Sequence, residues 1–95
     1  MKKPLVLTEH ARFRMHLRRI PREAIEDVLA HPVVHATDTL TGYSIAVGKG
    51  HYGEGVRLLA VIDEDTTATR EVVSVHPIRA SQYRMRLQRG RWRPQ

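Results

Sequence analysis

Val56-Arg57-Leu58-Leu59-Ala60-Val61-Ile62-Asp63 is the stretch that decides the fold. Read as a strand, it puts Val56, Leu58, Ala60 and Ile62 on one face and Leu59 and Val61 on the other. A strand apolar on both faces belongs in the middle of a sheet, covered from both sides. Working outward, 43–48 alternates Tyr43, Ile45, Val47 against Ser44, Ala46, Gly48. Residues 33–38 and 71–77 read as two further strands, the latter ended by Pro77. The connections are short: a turn at Thr41-Gly42, a glycine-rich loop over 49–55 and a polar turn over 64–70. Short connections favour antiparallel neighbours, so the expected sheet is a four-stranded antiparallel meander.

Helices flank it. Thr8 is placed to cap a helix over 9–19, and Pro21 opens a second one, proline being favoured at a first helical position. In that second helix Ala24, Ile25, Val28 and Leu29 form an apolar stripe, with Arg22, Glu23, Glu26 and Asp27 turned to water. Pro32 stops it. Lys2 to Leu7 reads as a lead-in, where Pro4 opposes a helix. A last helix over 79–89 puts Tyr83 and Leu87 on one face, and the tail GRWRPQ reads as mobile. The expectation is one α+β domain over 1–95, with its core over 5–89 and a basic tail over 90–95. Two N-terminal helices pack on the meander, with a short C-terminal helix. That helix, or a second copy of the chain in a homodimer, covers the other face.

Ninety-five residues suit a single small core. There is no cysteine, hence no disulfide or thiolate metal site. No apolar run approaches the roughly 18 residues that span a membrane. The start, MKKPLVLTEH, lacks the form of a signal peptide, so a cytoplasmic protein without a membrane partner is expected. The net charge of +6 is unevenly spread. Residues 1–22 and 79–95 together sum to +12, and the middle to −6. Arginine clustered at both ends reads as a phosphate footprint; the alternative is a cationic tail that docks an acidic protein.

On a helix over TEHARFRMHLRRI (8–20), His10 and Arg14 fall between two apolar groups, Phe13/Leu17/Ile20 and Ala11/Met15, with Arg18 one turn further on. Ionisable groups inside an apolar arc are costly unless paired or wetted by a cleft. Six histidines invite a metal reading, but their spacing opposes it. His10 and His16 point apart, His31 and His35 straddle Pro32, and no His-Glu-x-x-His pattern exists. No metal and no cofactor are expected.

RNA cleavage suits these residue types better. The 2′-hydroxyl is an internal nucleophile; an enzyme adds a base, an acid and cations for the developing charge. Histidine serves the first two and arginine the third. His10, Arg14, Arg57 and His76 are the candidate catalytic set. Strand alternation does not by itself put Arg57 and His76 on one side; a bulge can change that. Arg18, Lys49, His51, Arg84, Arg86, Arg89, Arg91 and Trp92 are the candidate nucleic-acid contacts, since single strands are held by stacking and charge. The competing reading has His10 capping a loop and Arg14 paired with an internal carboxylate such as Asp63. Tyr83 and Leu87 are then simply core.

The spacing His10-Ala11-x-x-Arg14-Met15-x-x-Arg18-x-Ile20 resembles the opening signature of a widespread bacterial family of domains of unknown function. Arg57-Leu58-Leu59-Ala60-Val61-Ile62-Asp63 and Val73-Ser74-Val75-His76-Pro77 extend the resemblance over about 7–78. That family is similar to RelE and BrnT toxins and to toxin tips of contact-dependent systems. The resemblance implies a barnase–RelE-like fold and a metal-independent ribonuclease held by an antitoxin. By position it touches His10, Arg14, Arg18 and Arg57. Arg19 stands where glycine is usual, and His76 where an aromatic is common.

The leading expectation is a basic endoribonuclease toxin of the RelE-like kind, acting on mRNA alone or on the ribosome and paired with an acidic antitoxin. The alternatives are a non-catalytic nucleic-acid-binding module and an interaction domain that docks an acidic partner.

Overall fold

The computed structural model describes residues 3–66 and 68–95. Lys2, in the expected lead-in, and Thr67, in the expected polar turn, lie outside the described residues. The elements run β1 (Leu5–Leu7), α1 (Glu9–Arg18), α2 (Arg22–Ala30), β2 (Val34–Asp38), β3 (Ser44–Tyr52), β4 (Gly55–Asp65), β5 (Arg70–Pro77), α3 (Ala80–Gln88) and β6 (Trp92–Pro94).

The sheet corrects the expected four-stranded antiparallel meander. It has six strands in the order β1-β5-β4-β3-β2-β6, and β1 runs parallel to β5. Both added strands come from segments that look unstructured in isolation. Leu5–Leu7 pairs with Arg70–Val72, and the supposedly mobile tail pairs Trp92, Arg93 and Pro94 with Asp38, Thr37 and Ala36. Three-residue strands leave almost no periodicity to read, and tertiary partners supply what the local sequence does not. The glycine-rich segment expected as a loop is largely strand as well. β3 continues to Tyr52, and Gly48 and Gly50 pair with Leu59 and Arg57. Those glycines serve helix packing. A Cβ on Gly48 would lie 3.2 Å from the His31 carbonyl, and one on Gly50 would lie 3.2 Å from Ala24 Cβ. Their absence lets α2 settle onto β3.

Two cores result. On one face α1 and α2 bury Ala11, Ile20, Ala24, Ile25 and Val28 against Ala46, Leu59, Val61, Val72 and Val75. On the other, Ile45, Val47, Ala60, Ile78 and Trp92 pack with the half-buried Tyr83 and Leu87 of α3.

α1 is fixed at both ends. Its first turn is tied to β5: the Thr8 amide donates to the Val72 carbonyl at 3.0 Å and its hydroxyl to the Val73 carbonyl at 3.3 Å. The same hydroxyl accepts from the Ala11 amide at 3.1 Å, capping the helix. At the far end Arg19 takes φ 54°, ψ 46°. The Ile20 amide then bonds the Met15 carbonyl, and the Arg19 amide bonds that of His16. This is a Schellman closure, and it delivers Ile20 into the core. The two anchors set the helix rotation and overturn the buried-arc reading. Ala11 and Met15 face the core, whereas Phe13 and Leu17 are 56% and 59% exposed. His10, between them, is exposed too.

Candidate functional site

The register puts Arg57 and His76 on opposite faces of the sheet: Arg57 pairs with Gly50 on the α2 side and His76 with Ala60 of the second core. β5 carries a bulge between His76 and the residues paired with β1. Ile62 pairs with Ser74 but Asp63 with Val72, so Val73 is the extra residue on β5. Val72 and Val75 consequently both enter the first core. His76 no longer shares a face with Val72, as unbroken alternation requires. It pairs with Ala60, a member of the second core, so its imidazole starts on the α3 side.

β1 covers β5 only as far as Val72. Beyond that point the edge of β5 is free of a neighbouring strand among the described residues, and α1 packs along it. The charges of Arg14 and Arg18 on α1 and of Arg86 on α3 act on His76. Burial lowers the imidazole pKa below 6.5, and the positive charges of Arg86, Arg14 and Arg18 lower it further. At neutral pH His76 is therefore a neutral imidazole in the positive field of three guanidinium groups.

Arg18 also acts on a second group. Tyr52 is buried, and its hydroxyl donates to the Leu58 carbonyl at 3.0 Å. Burial raises its pKa, against the opposing pull of Arg57 and Arg18, so the phenol keeps its proton. Tyr52 and Arg57 line a groove of about 310 Å³ with Pro77, Arg79 and Gln82. The groove begins at the residue after His76. None of Arg14, Arg18, Arg57 and Arg86 has a carboxylate partner among the described residues, whose ion pairs are Lys3–Asp65, Arg70–Asp63 and Arg91–Asp38. Asp63 is thus the partner of Arg70, not of Arg14. Unpaired guanidiniums acting on a neutral base suit an anion with a removable proton nearby.

The other expected residues lie elsewhere. His10 is exposed on the first turn of α1 and is not among the charges acting on His76. Lys49 and His51 are exposed on β3, where alternation from Val47 turns them to the α3 side, away from the side of Arg57. Arg84 is exposed and lies 5.9 Å from the Tyr83 ring centroid. Arg89 is exposed at the end of α3. Arg91 bonds Asp38 at 3.0 Å. Trp92 corrects the picture of a free stacking ring: it is 3% exposed, paired in β6, with Arg86 lying 5.0 Å from its ring centroid. Tyr52, Arg79 and Gln82 were missed. The available signal was the parity of Tyr52 with Gly48 and Gly50, which puts it on the helix-covered side.

Among the described residues no three His, Asp or Glu side chains gather as a metal-binding group, and no helix is long and apolar enough to cross a membrane. No curated protein and no solved structure matches the chain. Residues 7–76, which contain His10, Arg14, Arg18, Arg57 and His76, match the family model described as a domain of unknown function, DUF4258, and the chain belongs to that family.

Proposed function

We propose that the protein binds RNA along the groove lined by Tyr52, Arg57 and Arg79, next in the chain to His76, and cleaves it without a metal, as a RelE-like toxin. What supports this most is the half-buried His76 imidazole, kept neutral by burial and by the positive charges of Arg86, Arg14 and Arg18. In this reading His76 accepts the 2′-hydroxyl proton, the 2′-oxygen bonds to phosphorus to give a 2′,3′-cyclic phosphate, and the P–O5′ bond breaks with the 5′-oxygen taking its proton from water. Arg14, Arg18 and Arg86 hold the phosphate as charge builds on its oxygens, and Arg57 guides the strand along the groove. The uneven charge, positive at both chain ends, favours association with a polyanion and an acidic antitoxin as its natural inhibitor.

His76→Gln is the decisive variant. Wild type should cut a single-stranded RNA, or mRNA on ribosomes. His76→Gln should lose at least about 100-fold of the rate, the usual worth of a general base, while keeping salt-sensitive RNA binding. His10→Ala should cut like wild type. Induced expression should arrest growth, and His76→Gln should relieve the arrest. Intact RNA with and without ribosomes, together with harmless expression, removes the enzyme reading.

One observation favours a binding module instead. His10, the expected second histidine, is exposed on the first turn of α1 and is not among the charges that act on His76. That reading expects tight RNA binding with no cleavage by any variant.

A further inference from the structure

The far end of the sheet, on the α2 side, holds a group that the RNA reading does not use. Asp63 alternates with Val61 of the first core and is 0% exposed. Its Oδ2 accepts from Arg70 Nε. Its Oδ1 is buried with no hydrogen-bond partner among the described residues. A buried carboxylate oxygen left bare costs as much as a lost hydrogen bond or more, and such groups persist where something else fills them.

Asp63 forms part of the wall of a cavity of about 520 Å³, together with His35, Ser44, Arg70 and Gln95. α2 sits over Gly48 and Gly50, so Ser44, at the other end of β3, lies beyond it. Ser44 is the cross-strand neighbour of Asp63. Its hydroxyl is held by Gln95 Nε2 at 2.9 Å and lies 3.3 Å from His35 Nε2. The strands order the row as Gln95, His35, Ser44, Asp63, Arg70. The hydroxyl therefore stands between imidazole and carboxylate. A nucleophile relay needs the imidazole in the middle, so this row is not a hydrolytic relay. Asp63 is paired with Arg70 and Asp65 with Lys3, which leaves Glu64 as the lining carboxylate without an ion pair among the described residues.

We propose that this cavity binds an organic cation, an alkylguanidinium or alkylammonium, whose N–H groups donate to Asp63 Oδ1 with Ser44 Oγ alongside. Charge-assisted donation satisfies the bare oxygen, and the cation offsets the charge of Glu64. The cation comes either as a free amine or as an arginine or lysine side chain of another protein. The site lies on the opposite face from the second core, where His76 starts, so it stands or falls independently of RNA cleavage.

The test is a titration of the full ¹⁵N-labelled chain with agmatine, and separately with an arginine held in a capped peptide. Saturable shifts at the Ser44, Asp63 and Arg70 amides are expected. Asp63→Asn should weaken binding about tenfold and Ser44→Ala about threefold, the worth of one strong and one ordinary hydrogen bond. Ser44→Ala leaves the Asp63–Arg70 pair intact, so it reports on the site even if Asp63→Asn unfolds. Binding of agmatine at least as tight as the peptide assigns a free ligand; binding of the peptide alone assigns a partner side chain. Silence of those amides to both probes up to millimolar concentration, or variants that bind like wild type, overturns the proposal.

Discussion

The charges around Asp38 and those acting on His76 are built on opposite plans. Asp38 is buried, and one of its oxygens accepts from Arg91 Nε at 3.0 Å, the Leu40 amide at 2.8 Å and the Thr41 amide at 3.2 Å. One carboxylate thereby closes the β2–β3 turn and ties down the chain entering β6. Three guanidinium groups act by charge on the neutral His76 imidazole, with no carboxylate bound to any of them among the described residues. Completed charges hold a fold together. Like charges kept unpaired leave a place for an anion, and the fold carries their mutual repulsion.

The largest expected effect is therefore at Asp38. Asp38→Ala removes three bonds and leaves two backbone amides bare, and should cost about 2–4 kcal/mol in urea unfolding. Arg14→Ala should cost under about 0.5 kcal/mol, because it breaks no ion pair and lowers repulsion. Equal losses from the two would erase the distinction.

Acid should separate the two centres by sign and window. Burial pushes the Asp38 pKa up, but Arg91 and the two amides outweigh it and hold it below 3.8. That contribution is full above the unfolded value and disappears as pH falls through the lower folded value. His76 is different: its pKa is lowered below 6.5 because the fold opposes its charge. The unfolded chain binds that proton first, so stability falls as pH drops from 6.5 towards the folded value. Urea midpoints across pH 7 to 3 should show both limbs. His76→Gln should flatten the upper limb, and Asp38→Asn the lower. A His76→Gln profile that matches wild type between pH 7 and 5 would show the imidazole to be unstrained.

The same contrast explains what could be read from the chain beforehand. The strand 56–63, apolar on both faces, announced a buried central element, and β4 occupies that place between β5 and β3. The sheet edges were not legible. β1 and β6 are three residues each, and their partners lie 65 residues away for β1 and 54 to 58 away for β6. Residue types at the candidate site were visible, including His76, Arg14, Arg18, Arg57 and Arg86. That Arg14, Arg18 and Arg86 act on His76 while Arg57 lies on the other face of the sheet was not, because it depends on the bulge at Val73 and on the two anchors that rotate α1. Phe13 and Leu17 looked buried only because periodicity marks a stripe without saying which flank meets the core.

RNA affinity should respond at the shared residue. Arg18 acts on both His76 and Tyr52, so Arg18→Ala should weaken binding several-fold and reduce the salt slope by about one. Arg22 donates to the Leu5 carbonyl on the other side of α2 and is the control; Arg22→Ala should leave the slope unchanged.

The smallest expected effect touches the backbone itself. Arg19 is the described non-glycine residue with positive φ, at 54°. A side chain there pays a left-handed penalty that glycine escapes. Arg19→Gly should raise stability by about 1 kcal/mol, less whatever the freer unfolded chain takes back. If the basic end is kept for an anion, the same substitution should weaken RNA binding slightly while it stabilises, so that urea midpoint and affinity move in opposite directions. A stabilised Arg19→Gly with unchanged affinity would place Arg19 outside the phosphate footprint and confine that footprint to Arg14, Arg18, Arg57 and Arg86.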